Sequence, residues 1–300
     1  MNTVEIIEAL VIFFGIWINV FFALALIVRP LHSVKTTIVL RNQSVYDSFV
    51  CLCTFLLIVL PPFKNSTNNI PLDIIICHLW SSHFIQYIFV MASTSNVVFT
   101  TIDRYFAIMQ PFLYRGKHPR YIMGMYIYIL IVSIVIPFPK VFEVKMYNRT
   151  CIIEKTVDGS PQLNTLMNSY SIIWAIMIYF FPSIYFCVAY WKVIKKLRTL
   201  VRPFVTKGGV TGRSSAARNV TIAIFFVTAV YMATYTFDTT LYLLDQWRVI
   251  SPLKGTTLDH VKTFILTLNS FINPEMYFCL LKQFRYRVYS LCIPHYKHKY

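Results

Sequence analysis

Polar side chains recur inside the long apolar runs of this 300-residue chain. One carboxylate, Asp47, stands among neutral side chains that carry hydroxyl or amide groups, namely Asn19, Gln86, Ser93, Thr94, Ser95, Asn96, Asn269, Ser270 and Asn273. Carboxylate, hydroxyl and carbonyl oxygens are the ligands that small hard cations prefer, so side chains of this kind could form a small-cation site. The alternative is a hydrogen-bond network that only joins helices, worth about 1 kcal/mol per contact. The pattern by itself favours neither interpretation.

Other chemistries find no support in the sequence. No nucleophile–base pair, HExxH zinc motif or phosphate-binding loop occurs, and the histidines His78, His83 and His260 stand apart. The seven cysteines are too few and too scattered for a disulfide scaffold, although Cys77 and Cys151 flank predicted outer loops where a disulfide is chemically permitted. We therefore expect a protein that is not an enzyme and that has no cofactor, unless the polar side chains around Asp47 bind a cation.

The elements that must position these groups are long apolar helices. Hydrophobic residues make up 57% of the chain and charged residues 13%, against roughly 25% charged in soluble proteins. A helix of about 20 apolar residues crosses a bilayer. Seven apolar runs have about that length or more, at residues 6–28, 38–60, 74–109, 121–139, 165–193, 218–244 and 261–281. The prediction is an all-α membrane protein, a seven-transmembrane helix bundle.

The distribution of charge sets the orientation of this bundle. Glu5 and Glu8 precede the first run, whereas Arg29, Lys35 and Arg41 follow it. Because cytoplasmic loops carry an excess of lysine and arginine, the N-terminus is predicted to lie outside. The net charge of +16 then reflects membrane orientation and does not indicate a nucleic-acid partner.

The C-terminal segment and the outer loops carry candidate modification sites. Residues 1–281 are predicted to form the seven-transmembrane domain, and residues 282–300 an amphipathic membrane-surface helix with a short cytoplasmic tail. Cys292 in that segment is a candidate for palmitoylation. The sequons at Asn65 and Asn148 fall in outer loops and are candidate glycosylation sites, whereas those at Asn42 and Asn219 fall inside and should stay bare.

Several short motifs occur in order along the apolar runs. They are Gly15 and Asn19 in the first, Asp47 in the second, Asp103-Arg104-Tyr105 closing the third, Phe181-Pro182 and Tyr190 in the fifth, and Asn273-Pro274 with Tyr277 in the seventh, before Phe284. Over essentially its whole length the chain resembles a rhodopsin-like (class A) G-protein-coupled receptor. This resemblance implies a multi-pass plasma-membrane receptor whose partners are an extracellular ligand, a heterotrimeric G protein and the lipid bilayer.

The resemblance also assigns roles to residues. The switch that couples to the G protein would comprise Asp103, Arg104, Tyr105, Tyr190, Asn273, Pro274 and Tyr277. Arg104 would be held by Asp103 at rest and released on activation. The family's sodium pocket corresponds to Asp47, Ser93, Asn269, Ser270 and Asn273. Cys77 and Cys151 would form the disulfide that ties the third helix to the second outer loop.

The chain departs from the family pattern at four points. Cys77 lies about two residues farther from Arg104 than usual, so we expect a bulge at the top of the third helix or a shifted disulfide. The fourth helix lacks the usual tryptophan, for which Tyr126 or Tyr128 could stand in. The sixth helix lacks the CWxP motif, and no acid near residues 213–218 offers Arg104 a cross-helix lock.

The resemblance narrows the ligand class. Gln86 stands where amine receptors carry an aspartate and Thr267 where opsins carry the retinal lysine, so a peptide is favoured, with a small non-amine metabolite as the alternative. The candidate ligand contacts in the outer half are Trp80, His83, Gln86, Tyr87, Trp174, Tyr235, Asp238 and Phe264. An ion transporter or channel that uses the Asp47 cluster is the alternative outside the receptor class, although inverted repeats are not visible.

Overall fold

The computed structural model describes residues 3–31, 33–60, 69–114, 118–148, 150–153, 161–205, 212–251, 253, 256–280 and 285. These residues form the helices α1 (Thr3–Val28), α2 (Val34–Val59), α3 (Ile70–Ile76), α4 (Phe84–Met109), α5 (Pro111–Tyr114), α6 (His118–Val135), α7 (Pro161–Ala175), α8 (Phe181–Val205), α9 (Gly212–Gln246) and α10 (Thr257–Leu280). The π-helical turns Cys77–Ser81 and Ile176–Phe180 join α3 to α4 and α7 to α8. A 3₁₀ turn at Phe138–Glu143 leads into a hairpin of β1 (Val144–Tyr147) and β2 (Thr150–Ile153).

The long helices combine into seven rods, which correspond to the seven apolar runs. α3 and α4 together make the third rod, and α7 and α8 together make the fifth. Six of the rods are long and apolar enough to cross a membrane. The seventh, α10, has 24 residues but carries more polar side chains, among them Asn269 and Asn273. Because both are buried inside the bundle, they are kept away from lipid, and the predicted seven-helix bundle is confirmed.

The polarity of the bundle is inverted relative to a soluble protein. Large apolar side chains, such as Phe14, Trp17 and Ile184, are mostly exposed on the outward faces. Fully buried polar side chains fill the interior, including Asn19, Asp47, Asn96 and Asn273. A hydrocarbon surround accounts for both facts, because lipid accepts apolar surface while polar groups must find their partners inside the protein.

The third rod occupies the centre of the bundle. Its helix α4 packs against α2, α6, α8 and α9, while α1 contacts both α2 and α10. The core between these helices contains large buried side chains, among them Met91, Phe186, Tyr231 and Tyr277. This arrangement brings the polar residues of α2, α4 and α10 next to one another, which is the condition for a shared site.

The outer end of the third rod is bulged, which is one of the two outcomes expected from its extended spacing. The π-helical turn Cys77–Ser81 is followed by His83, whose φ of 63° lies in the left-handed region, before α4 begins. A π-helical turn accommodates extra residues without ending the rod. Cys77 therefore still reaches Cys151, and the two form a disulfide with their Cα atoms 5.5 Å apart.

The disulfide fixes the second outer loop to the third rod. Cys151 lies on β2 opposite Met146 of β1, in an antiparallel hairpin that turns at Asn148 with a φ of 46°. Asparagine tolerates this left-handed conformation better than most residues do. The hairpin and the 3₁₀ turn before it are thereby held against the outer end of the bundle.

Candidate functional site

The cytoplasmic end of α4 carries a cluster around Arg104, which we name the Arg104 clasp. Asp103 and Arg104 are both buried, and the guanidinium donates to Oδ2 of Asp103 from Nε at 3.1 Å and again, at shorter range, from a terminal nitrogen. Thr36 of α2 donates to the same carboxylate oxygen at 3.0 Å and accepts from Arg104. Tyr105 packs edge to face on Phe106. The arginine is thus held both by its sequence neighbour and by α2.

Tyr114, at the end of α5, completes the Arg104 clasp. Its hydroxyl donates to Oδ1 of Asp103 at 2.8 Å and accepts from Arg104 at 3.3 Å. Lys35 holds this tyrosine, because its Nζ atom donates to the Tyr114 carbonyl oxygen at 2.7 Å and lies 4.4 Å from the ring centre. Burial, and after it the Asp103 carboxylate, raise the pKa of the Tyr114 phenol. The phenol therefore stays neutral at physiological pH and remains a donor.

The two tyrosines predicted to support activation lie apart from the Arg104 clasp. The hydroxyl of Tyr190 is 3.0 Å from Oγ1 of Thr228 on α9 and 3.5 Å from Oγ1 of Thr101 on α4. Tyr277 is fully buried and packs its ring against one on α1. Within the described part of the chain, neither hydroxyl bonds to Arg104, so the arginine and the two tyrosines are separate in this conformation.

The sixth rod, α9, is anchored to the fifth rod in a way that the sequence did not indicate. The hydroxyl of Tyr231 donates to the carbonyl oxygen of Ile178, in the π-helical turn. The only acids in the sequence of α9 are Asp238 and Asp245, both in its outer half. Neither can reach Arg104 at the opposite end. Side chains of α2 and α5 hold the arginine instead of an acid on the sixth rod.

The fourth rod is tied to the second by Tyr126. Its hydroxyl donates to Oδ1 of Asn42 at 3.0 Å and accepts from Nδ2 of the same asparagine at 2.9 Å. Tyr128 instead packs edge to face on Phe99, with ring centres 5.5 Å apart. Asn42 is buried by this contact, which agrees with the prediction that its sequon is not glycosylated.

The residues predicted to form a cation site come together at the centre of the bundle. Asp47 is fully buried, and its Oδ1 atom accepts from Ser93 at 2.6 Å while its Oδ2 atom accepts from Nδ2 of Asn273 at 2.8 Å. Asn269 and Ser270 are buried on α10 one turn before Asn273. Three helices therefore converge on one carboxylate.

An unexpected residue, Gln43, also binds this carboxylate. Its Nε2 atom lies 3.1 and 3.0 Å from the two oxygens of Asp47 and 2.6 Å from Oγ of Ser93. The spacing of four residues, which places two side chains on one helix face, was the sequence signal that could have identified it. A sodium ion would need the position of this nitrogen. The ion stays a prediction, and the residues in this arrangement do not fit it.

The outer half of the bundle encloses a group of charged and aromatic side chains. We name it the Lys140 cluster, and it consists of Lys140, Glu143, Tyr87 and Tyr242. Lys140 belongs to the 3₁₀ turn yet is buried, and its Nζ atom donates to Oε1 of Glu143 at 2.7 Å. The same atom lies 4.8 Å from the ring centre of Tyr242 and 5.2 Å from that of Tyr87. Aromatic faces attract such a cation, so the loop lysine is held between two rods.

Asp238, one of the candidate ligand contacts, faces Lys262 of α10 beside the Lys140 cluster. The distance between Oδ1 of Asp238 and Nζ of Lys262 is 4.0 Å, and the same Nζ lies 3.9 Å from Asp259. These are long distances for ion pairs. Asp238 thus has a cationic neighbour that a stronger partner could replace.

Two further candidate ligand residues lie next to the Lys140 cluster. Trp174 is buried and meets Tyr87 edge to face, with ring centres 5.1 Å apart. Tyr235 accepts from Thr94 at 3.4 Å and stacks on Tyr231. These rings form the inner wall beneath the charged groups.

The remaining candidates lie elsewhere. Nδ1 of His83 is 3.0 Å from Oε1 of Gln86, whose Nε2 atom donates to Thr54 of α2 at 2.7 Å. Trp80 is half-buried in the π-helical turn. Phe264 lines a crevice between α10 and α1. The structure therefore does not gather all eight predicted contacts into one place.

Some predicted features fall outside the residues that the structure describes. Asn65, Cys292 and, apart from Arg285, the whole segment 282–300 are among them, so the membrane-surface helix stays a prediction. Asn148 is described, and it is exposed at the turn of the outer hairpin. Its position leaves the side chain accessible for modification.

The comparison with protein families gives one assignment. The family described as 7 transmembrane receptor (rhodopsin family) matches residues 18–277. The match begins within α1 and ends at Tyr277 of α10, so it spans all seven rods. No curated protein matches the chain.

Proposed function

Because the chain belongs to the rhodopsin family of seven-transmembrane receptors, we propose that it is a ligand-activated receptor that signals to a heterotrimeric G protein. The Arg104 clasp is the observation that carries this proposal. A buried guanidinium is costly unless it is paired, so Arg104 can leave Asp103 only when another partner becomes available. Such an exchange has two discrete states, as a ligand-controlled switch requires.

We further propose that the ligand is a peptide. The Lys140 cluster and the neighbouring pair of Asp238 and Lys262 present both signs of charge beside aromatic rings. Peptides carry complementary groups of all three kinds, and electrostatic complementarity favours specific recognition. A small non-amine metabolite would use fewer of these groups, and a ligand screen separates the two.

The transporter alternative receives less support. Both oxygens of Asp47 accept hydrogen bonds from side chains on three helices, so this buried carboxylate is already occupied. An ion pathway needs polar groups that bind weakly enough to release the ion. Ion flux measured in the membranes used for the receptor assay would reveal such a pathway.

The test compares the receptor with two arginine variants at equal surface levels. Guanine-nucleotide exchange is measured against libraries of peptides and of small polar metabolites. We expect a peptide response that Arg104→Ala abolishes and Arg120→Ala retains, because Arg120 is an exposed arginine at the start of α6.

Three results would each count against a part of the proposal. A ligand response that persists in Arg104→Ala would remove the clasp from the mechanism. Ion flux that depends on Asp47, without any nucleotide exchange, would favour the transporter. A response to small metabolites alone would agree with a receptor but would contradict the proposal that its ligand is a peptide.

A further inference from the structure

The buried carboxylate of Asp47 has no cationic side chain as a partner within the described part of the chain. A buried charge is tolerated only when hydrogen bonds replace the water that it has lost. The neighbouring side chains supply them. Oδ1 accepts from Gln43 and Ser93, and Oδ2 accepts from Gln43 and Asn273, at distances between 2.6 and 3.1 Å.

The position of the Gln43 nitrogen is the unusual feature of this network. Nε2 lies within 3.1 Å of both oxygens of Asp47 and within 2.6 Å of Oγ of Ser93. These three oxygens would be the nearest ligands of a small cation bound at Asp47, since such ions take carboxylate and hydroxyl oxygens. The amide nitrogen and an ion cannot both occupy the point among them.

The orientation of the Gln43 amide is fixed by the backbone of α2. Nδ2 of Asn96 donates to the carbonyl oxygen of Val39 at 2.9 Å and to Oε1 of Gln43 at 2.9 Å. A carbonyl oxygen can only accept, so Asn96 must turn its nitrogen toward Val39. Gln43 must then turn its oxygen toward Asn96, which leaves its nitrogen facing Asp47.

We propose that the Gln43 amide replaces a sodium ion at Asp47, so that this receptor is insensitive to sodium and becomes sensitive when the amide is removed. Insertion of an ion into the wild-type site would break the bonds of Gln43 to Asp47, Ser93 and Asn96. Without the amide, Asp47 and Ser93 are freed for an ion. The Oδ1 atoms of Asn269 and Asn273 are buried and have no hydrogen-bond partner among the described residues, so they are available to complete its coordination.

The test uses the purified full-length receptor and needs neither ligand nor G protein. Its melting temperature is measured in sodium chloride and in choline chloride of equal ionic strength. We expect no difference for the wild type. Gln43→Leu should melt a few degrees higher in sodium than in choline, because an ion that binds only the folded state stabilises it.

Two controls separate the site from general effects. The double variant Gln43→Leu with Asp47→Asn should lose the sodium dependence. Gln86→Leu removes another intramembrane amide, one that donates to Thr54 away from Asp47, and its melting temperature should be the same in sodium and in choline.

Wild-type stabilisation by sodium that is lost in Asp47→Asn would overturn the proposal. A folded Gln43→Leu that does not respond to sodium would overturn it as well. If Gln43→Leu does not yield folded protein, the wild type and Asp47→Asn decide the matter alone. None of these outcomes depends on G-protein coupling, so failure here is distinct from failure of the proposed receptor function.

Discussion

Arg104 is a buried charge that is held in place by side chains from several helices. In this chain its partners are Asp103, Thr36 and Tyr114, which come from α4, α2 and α5. Hydrogen bonds to charged groups are worth about 1.5–3 kcal/mol each. The arginine is therefore held by the third rod itself, the second rod and α5, and the cytoplasmic end of the sixth rod can move without first breaking an ion pair to Arg104.

Tyr114→Phe is predicted to raise basal signalling. The substitution keeps the ring under Lys35 but removes the hydroxyl that bonds to Asp103 and Arg104. Loss of about 1.5 kcal/mol, the lower end of the range for one hydrogen bond to a charged group, corresponds to roughly a tenfold rise in basal nucleotide exchange. Tyr121→Phe is the control, since its hydroxyl has no hydrogen-bond partner among the described residues. Equal basal exchange in Tyr114→Phe and wild type would contradict the clasp.

Asp238 and Lys262 are predicted to change ligand potency in opposite directions. If a basic group of the peptide replaces Lys262 beside Asp238, Asp238→Asn should lower potency about tenfold, a loss of about 1.4 kcal/mol. Lys262→Met should raise potency, because it removes the cation that competes for the carboxylate. Dose–response curves of nucleotide exchange measure both. If both substitutions changed ligand potency in the same direction, the basic group of the peptide would have to bind away from Asp238.

At the scale of elements, the third rod and the hairpin act as one unit. The π-helical turn keeps Cys77 opposite Cys151, and the disulfide closes a loop between two cysteines that are 74 residues apart in sequence. In a soluble chain such a cross-link contributes on the order of 4 kcal/mol. The contribution is smaller here, because helices persist in the unfolded state of a membrane protein and limit the freedom that the cross-link removes.

Removal of the disulfide is predicted to loosen the outer end of the bundle. Cys77→Ala combined with Cys151→Ala should lower the melting temperature by several degrees and weaken the ligand response, since Lys140 would no longer be fixed over the rods. Cys187→Ala, at an exposed free cysteine, should have neither effect. Unchanged melting in the double variant would show that the hairpin docks without its cross-link.

At the scale of the whole molecule, the outward apolar faces place the bundle in the bilayer, and the distribution of basic residues sets its orientation there. The Arg104 clasp lies at one end together with Arg29, which follows α1, and Lys35 in the first turn of α2, and the hairpin with Asn148 lies at the other end. Because basic residues stay on the cytoplasmic side, the hairpin faces outward.

This orientation predicts which sequons carry glycans. Asn148→Gln should lose a mass shift that an endoglycosidase removes from the wild type. Asn219→Gln, at a sequon near the cytoplasmic end of α9, should not. A glycan at Asn219 would reverse the topology and, with it, the assignment of both sites.

Local patterns in the sequence were enough to determine the architecture. Length and hydropathy predicted the seven rods, because crossing a bilayer imposes a length that each segment meets by itself. The motif residues Asp47, Arg104 and Asn273 were identifiable for the same reason, since a polar group in an apolar run is visible without knowledge of its neighbours. The spacing of Cys77 from Arg104, compared with the family pattern, left a bulge or a shifted disulfide open, and the structure shows the bulge.

Only the tertiary structure decided what those residues contact. Gln43, Thr36 and Tyr114 complete the two polar clusters, and Lys140 enters the bundle from a loop. Some of these contacts join parts of the chain that lie far apart in sequence. Others depend on which of several polar side chains faces the interior of the bundle. Hydropathy and spacing do not predict such pairings, because these hydrogen bonds depend on how one helix packs against another.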